Sequence, residues 1–452
     1  MSFDRIDALY AEHATWLRER YDEVLEREGW EAVVIHSGSA RKRTEFDDQY
    51  WPVRPSPHLQ HWVALHEPDA VLLVQKGRAP LLARINRFDF WEHPFAPESD
   101  HFKPHFEHLG VEEVSAIKRH LPTARVAFIG DDRALAGRLG FLDEAVNPRE
   151  FLASLDALRT RKTRYEVACV AEANRRASMG HHAVVRAFEG GAGSELTLHL
   201  EYLAATSQDD PETPYKNIVA LGTNAATLHH VSYGRRVTSA TSHGEPESLL
   251  LDAGATCMGY CSDITRTWVR GRGSASADIF RALVEKVDAM QQGLCAAVRE
   301  GAPYESLHDR SHDEVGRILH ELGVVRCAPD EAVKVGVTRA FYPHGLGHSL
   351  GLQCHDVGCA LTRPRADNPF LRNTSVIAAG QVFTIEPGVY FIDGLLRPLR
   401  EGEGSARVDW ALVDALTPFG GVRIEDDLLV TGPEEHRNMT REHLPRGGGD
   451  VS

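Results

Sequence analysis

Five ionisable residues interrupt apolar, strand-like runs: Asp252 in SLLLDAG, Asp263 in CSDITRTW, His348 in GLGHSLGL, Glu386 in VFTIEPG and Glu425 in GVRIEDDLLV. A charge in such a run is costly unless the fold brings it a partner. A pair of divalent cations is one such partner. Four carboxylates carry four negative charges, which one dication leaves half balanced, whereas two dications and a bridging hydroxide approach neutrality. The pattern therefore reads as the ligand set of one two-metal centre, although Asp252 alone could be a turn residue and either glutamate alone an outward-facing strand residue.

The remaining composition narrows the class. A length of 452 residues suggests two or three domains with ample core. Hydrophobic residues at 42% and charged residues at 25% are ordinary for a soluble globular chain. The net charge of −15 argues against a nucleic-acid surface and against docking on anionic lipid. The start, MSFDRIDALYAEHATWLRERYDE, is charged throughout and lacks the apolar core of a signal peptide. No apolar run approaches the roughly 18 to 20 residues that span a bilayer. Seven cysteines, an odd number without CxxC pairing, indicate reduced thiols and a cytoplasmic location. Cys257, Cys261 and Cys354 flank the proposed centre, but hard oxygen ligands dominate it, and the thiols are assigned no ligand role.

Ile6, Leu9, Tyr10, Trp16, Leu17, Tyr21 and Leu25 recur at helical spacing, which predicts a helix over 3–28. Strand-like runs EAVVIHSG, DAVLLVQ, PLLARIN and ARVAFIGDD follow, with helical segments between and after them. The fold class is α/β (α+β), with a mixed-sheet domain over 1–158, a catalytic domain over 159–445, and a tail, 446–452, expected to be disordered.

SLLLDAGATCMGYCSDITRTWV reads as a hairpin turning near Met258-Gly259, which sets Asp252 beside Asp263. Asp263, Thr265 and Thr267 then share one strand face. Two adjacent aspartates without a cation repel, so one would stay protonated. PHGLGHSLGLQCHDVG supplies His344, His348 and His355, but it lacks the HExxH glutamate, and Gly345 and Gly347 disfavour a regular helix. The glycines suit close backbone approach at a crowded site. Thr384 and Glu386 share one strand face, as do Arg423, Glu425 and Asp427.

In order, DAGATCMGYCSDITRTW, PHGLGHSLGLQCHDVG, FTIEPGVYFI and PFGGVRIEDD resemble the motifs of the pita-bread metallopeptidases. Within that family the chain most resembles the prolidase (Xaa-Pro dipeptidase) group, in the bacterial branch that includes the organophosphorus acid anhydrolases. The resemblance implies a creatinase-like N-terminal domain and a pita-bread catalytic domain. It also implies two Mn²⁺ per subunit held by Asp252, Asp263, His348, Glu386 and Glu425, with Co²⁺ or Zn²⁺ as other suitable ions. By similarity, Asp263 and Glu425 bridge the metals, Asp252 binds one of them, and His348 and Glu386 complete the other. The implied chemistry is attack by a metal-bridging hydroxide on the peptide bond before proline. Glu386 would shuttle the proton, while His344, His355 and His229 would meet the substrate and its oxyanion.

Tyr215 resembles a pocket tyrosine, and Arg400 resembles the arginine that clamps the substrate carboxylate, with Arg397 as its near alternative. Asp48 and Trp91 match segments that reach a neighbouring subunit's cleft, which implies a homodimer and a two-residue substrate. Two positions depart from the pattern: Lys216 stands where a glycine is expected, and His230 where an aromatic residue is expected. The alternative reading is a phosphotriester hydrolase, as a side activity. A metal-free binding module or a creatinase is disfavoured by the intact ligand set. The N-terminal domain disfavours a methionine aminopeptidase, and HDVG with LLRPLREG disfavours an aminopeptidase P.

Overall fold

Helical spacing produces the predicted helix Phe3–Glu28, which buries Ile6, Tyr10, Leu17, Tyr21 and Leu25. The computed structural model describes residues 3–86, 99–191, 193–235, 248–270 and 274–450. The chain divides into two units, Met1–Cys169 with Met258–Tyr260, and Val170–Cys257 with Cys261–Ser452.

The first unit holds a five-stranded mixed sheet. Its strands are Ala32–His36 (β1), Val71–Gln75 (β2), Leu81–Ile85 (β3), Glu107–Val111 (β4) and Val126–Ile129 (β5), in the order β4-β3-β2-β1-β5. β1 pairs antiparallel with β2 and parallel with β5, and all five of its residues are buried. That double burial explains its unbroken AVVI run. β4, EHLGV, escaped the sequence reading because four of its five residues are exposed or half-buried, so it carries little apolar signal. Asp48 sits in an exposed turn where Gln49 Nε2 donates to its carboxylate at 3.4 Å. Trp91 lies outside the described residues.

The second unit is built on Ile218–Leu221 (β6), Ser248–Asp252 (β7), the short Thr256–Cys257 (β8) and Thr265–Val269 (β10), while Tyr260–Cys261 (β9) runs from the end of the Met258–Tyr260 excursion back into it. Val382–Ile385 (β11), Gly388–Tyr390 (β12), Gly421–Arg423 (β13), Asp426–Val430 (β14), His436–Asn438 (β15) and Gly448–Asp450 (β16) complete the strands. The sheets run β16-β10-β7-β6, β11-β14-β15 and β12-β13. The helix Ala275–Ala296 inserts Phe280, Leu283, Val284, Val287 and Leu294 into one core with Phe383, Ile385, Val389, Ile424 and Leu428. Each fully buried Leu, Val or Phe contributes roughly 1.5–3 kcal/mol, so the strands that carry the charged residues have a rigid backing.

The tail is a correction to the sequence reading. Instead of being disordered from residue 446, it adds β16 parallel to β10, with Gly448 opposite Thr267. A Cβ at Gly448 would lie 1.9 Å from the Thr267 carbonyl oxygen, so glycine makes the pairing sterically feasible. Among the described residues no helix is long and apolar enough to cross a membrane. All seven cysteines are free thiols.

Candidate active site

The hairpin register sets Asp252, the last residue of β7, opposite Thr265 of β10, with Asp263 two residues earlier on the returning strand. Met258 and Gly259 both have positive φ, 50° and 83°, which makes the tight turn between them. Tyr215 joins the two aspartates: its hydroxyl lies 2.7 Å from Asp252 Oδ1 and 2.5 Å from Asp263 Oδ1. Glu425 follows β13, where its N–H donates to the Thr265 carbonyl at 3.1 Å and its Oε2 accepts from Thr265 Oγ1 at 2.7 Å. Glu386 falls just beyond β11, because Pro387 lacks the N–H that the next rung would need.

His348 lies in an extended segment held against β11. Thr384 N donates to the His348 carbonyl at 2.9 Å, and Glu386 N donates to the Leu346 carbonyl at 2.8 Å. Gly347 permits this approach, since a Cβ there would lie 2.2 Å from the Thr384 carbonyl oxygen and 2.5 Å from the Tyr304 hydroxyl. His348 Nδ1 lies 3.0 Å from the Ser349 carbonyl, which fixes the proton on Nδ1 and leaves Nε2 as the donor lone pair. Nε2 is 3.4 Å from Asp263, 3.5 Å from Glu386 and 4.0 Å from Glu425.

The electrostatics of this cluster suit a cation. Burial, reinforced by Asp263, Glu386 and Asp252, raises Glu425 well above the carboxylate range. Burial likewise pushes Glu386 up to about 7, against the opposing pull of His348 and Arg423. Asp252 is raised by burial, although Arg423 opposes the shift. Burial also favours the neutral acid at Asp263, but hydrogen bonds from His348, Cys354 and Tyr215 outweigh it and lower that carboxyl. Burial would depress His348, yet Asp263 and Glu386 raise it to about 9. Ligand atoms of Asp263, His348 and Glu425 lie within 4.8 Å of one another. This buried, oxygen-rich donor set with one imidazole fits a hard or borderline divalent cation. His348, Cys354 and His355 form a second such group, and the Cys354 thiol donates to Asp263 Oδ2 at 2.9 Å.

The accessory histidines differ in how firmly they are held. His344 Nδ1 is 2.8 Å from the Gly345 carbonyl, and Nε2 is 2.8 Å from the Tyr390 hydroxyl, so both nitrogens are engaged. Burial lowers its pKa to about 3, assisted by Arg423. The His355 ring meets His348 edge-on at 4.4 Å and is lowered to about 4 by burial and by the neighbouring His348 and Arg372. His229 is exposed and close enough to His344 and His355 to disfavour protonation of both.

Other expectations are not brought to this cluster. Arg400 lies on the helix Asp393–Glu401, with its guanidinium spent on a bidentate pair with Asp414 at 2.8 Å and laid over the Trp410 ring. Arg397 pairs with Asp393 on the same exposed helix. Lys216 does not crowd the pocket: it is exposed, with its ammonium 5.0 Å from the Tyr233 ring centroid. His230 pairs with the buried Glu195 at 2.9 Å.

Three side chains were missed as site residues. Arg423 is 4% exposed, and its Nη2 donates to Asp252 at 2.6 Å while Nη1 donates to the Tyr390 hydroxyl at 2.9 Å. Its place on the Glu425 strand face was the available signal. Asp427 accepts from Asp263 N at 3.1 Å and from Asn174 Nδ2 at 2.8 Å, which fixes the backbone of the second aspartate. Arg372 is exposed, acts on His355, and pairs with no carboxylate among the described residues. It follows Leu371, whose Cα lies 2.9 Å from where a Gly345 Cβ would be, so this loop runs directly along the histidine segment.

Comparison with known proteins adds an independent line. Residues 168–432 match metallopeptidase family M24, and residues 8–156 match the Xaa-Pro dipeptidase N-terminal domain. The chain is 38% identical to the Xaa-Pro dipeptidase of Pseudoalteromonas atlantica over 445 residues, covering 96% of this chain and 98% of that one. It is 38% identical to the Xaa-Pro dipeptidase of Xanthomonas euvesicatoria over 449 residues, with the same coverage. Among solved structures it resembles the Pseudomonas aeruginosa aminopeptidase PepP, with a TM-score of 0.70, 23% identity, and coverage of 97% and 96% of the two chains. At that identity the likeness is one of fold.

Proposed function

The chain belongs to metallopeptidase family M24, and on that premise we propose that it is a metal-dependent Xaa-Pro dipeptidase. One observation carries the reading: in a chain similar from end to end to Xaa-Pro dipeptidases, ligand atoms of Asp263, His348 and Glu425 converge within 4.8 Å. The fold is the mixed-sheet N-terminal domain and pita-bread catalytic domain that the motifs imply. The family implies a divalent metal cofactor. The number and identity of the ions are part of the proposal: two per subunit, manganese first, with Co²⁺ or Zn²⁺ able to replace it.

Asp252, Asp263, His348, Glu386 and Glu425 would hold the cations. When bound, the cations supply the positive charge that balances these carboxylates and renders a water nucleophilic near neutral pH. The protein's own groups do the rest. Tyr215 and Arg423 fix the orientation of the two aspartates. Glu386, held beside His348 by its N–H bond to the Leu346 carbonyl, is the group proposed to carry the proton to the departing proline nitrogen. His344, engaged on both nitrogens, forms a fixed wall. His355, kept neutral by burial and by the neighbouring His348 and Arg372, presents an N–H donor to the substrate carbonyl oxygen, with His229 beside it on the substrate side.

Arg372 replaces Arg400 as the proposed clamp for the proline carboxylate. It lies beside the histidine segment, whereas the Arg400 fork is already filled by Asp414. The homodimer reading rests on the exposed aromatic side chains of the loop around Asp48, where Phe46 is 97% and Trp51 58% exposed. The phosphotriester alternative has no observation in its favour. The test is hydrolysis of Ala-Pro, Ala-Pro-Ala and Ala-Ala by manganese-loaded protein. Cleavage of Ala-Pro alone is expected, cleavage of the tripeptide would move the assignment to an aminopeptidase, and cleavage of none would overturn it.

A further inference from the structure

Glu195, the first residue of the helix Glu195–Thr206, is 2% exposed and has a part in the fold beyond its pair with His230. Its two oxygens accept four hydrogen bonds. Oε1 takes Leu221 N at 3.0 Å and Asn224 Nδ2 at 2.7 Å. Oε2 takes His230 Nε2 at 2.9 Å and Gly234 N at 2.7 Å. Leu196 N adds a fifth tie, donating to the Gly234 carbonyl at 3.1 Å. A buried carboxylate needs such saturation, and here all of it comes from the single segment Leu221–Gly234.

That segment carries His229. On one side of it, Leu228 packs on the cluster of Ile218, Ala220, Ala225, Leu250 and Tyr390, and the Tyr390 hydroxyl meets His344 at 2.8 Å. On the other side, His230 is bonded to Glu195. His229 is therefore suspended between two anchors, one on the wall of the site and one on a buried charge. We propose that Glu195 is a positioning residue: its carboxylate clamps Leu221–Gly234 so that His229 faces the substrate. Asn224 and His230 are the side-chain half of that clamp, and Lys216, laid over Tyr233 within the same segment, supports it from outside. The proposal rests on the assignment of His229 to the substrate site.

The test is a double-mutant cycle on manganese-loaded protein with Ala-Pro, using Glu195→Gln, His229→Ala and the pair. The amide of Glu195→Gln offers one acceptor oxygen, and its NH₂ faces the Leu221 or Gly234 N–H, so one side of the clamp opens in either orientation. Displacing His229 by a fraction of an ångström is expected to cost about tenfold in kcat/KM. The pair is expected to match His229→Ala alone, since a histidine already removed cannot be misplaced. Amide exchange over 221–234 should quicken while the aspartate hairpin stays protected.

Losses that multiply in the double variant would overturn the proposal. So would a wild-type rate for Glu195→Gln alongside an impaired His229→Ala. A wild-type rate for His229→Ala would instead remove the histidine from the site, and the clamp's purpose with it. Should Glu195→Gln fail to fold, His230→Phe removes one donor and leaves three. The same non-additivity with His229→Ala is then expected, and additivity overturns the proposal.

Discussion

Replacing Gly347 by alanine adds one methyl group to the most crowded backbone in the site. The new Cβ would stand 2.2 Å from the Thr384 carbonyl oxygen, and ordinary contact begins at 3.4 Å, so the two must part by 1.2 Å. Thr384 cannot yield cheaply, because it lies in the fully buried strand β11. His348, the next residue, bears the displacement, together with its hydrogen bond from Thr384 N. Overpacking of this kind destabilises by about 1–3 kcal/mol. A shift of about 1 Å in a site group costs on the order of 100-fold in rate. Gly347→Ala should therefore lose about two orders of magnitude in kcat/KM on Ala-Pro and bind manganese more weakly. Gly293→Ala is the control. Nothing lies within 4 Å of that Cβ, and alanine in this last turn of the helix Ala275–Ala296 should gain up to about 0.5–1 kcal/mol. Wild-type turnover in Gly347→Ala, with an unchanged melting temperature, would refute the reasoning.

Two further predictions follow from charge. Arg372→Ala should raise KM for Ala-Pro at least about tenfold with a smaller change in kcat, whereas Arg400→Ala should change either by less than about twofold, because its guanidinium is engaged by Asp414 on the surface; steady-state kinetics on both variants reads the difference. In the first unit, burial lowers His13 to about 4, so its buried form is neutral and its stabilisation is intact above the unfolded value of 6.5. That contribution, on the order of 3 kcal/mol, disappears as pH falls from 6.5 towards 4; thermal melts should fall over that window, and His13→Gln should flatten the profile.

The five proposed ligands stood out in the sequence because each places an ionisable group in an apolar run, and all five are buried or nearly so. The hairpin was legible because Met258-Gly259 supplies its turn. What stayed hidden depended on contacts distant in the chain. Arg400 and Asp414 are fourteen positions apart on separate helices, and only their meeting shows that the guanidinium is already engaged. Arg372 sits in the non-periodic stretch NPFLRN, and its relevance depends on the contact of Leu371 with Gly345. β16 has almost no strand propensity in its GGD sequence. It exists because β10 offers a free edge that only glycine can approach. The Glu195 clamp likewise joins a helix start to a loop more than twenty residues later.

The most direct measurement is a manganese titration of metal-stripped protein that follows bound metal and Ala-Pro hydrolysis together. Activity should be absent without metal and reach its plateau at two ions per chain, and Glu425→Gln should fail to retain both. Full hydrolysis by the stripped protein, or two tightly held ions in Glu425→Gln, would contradict the assignment of this centre.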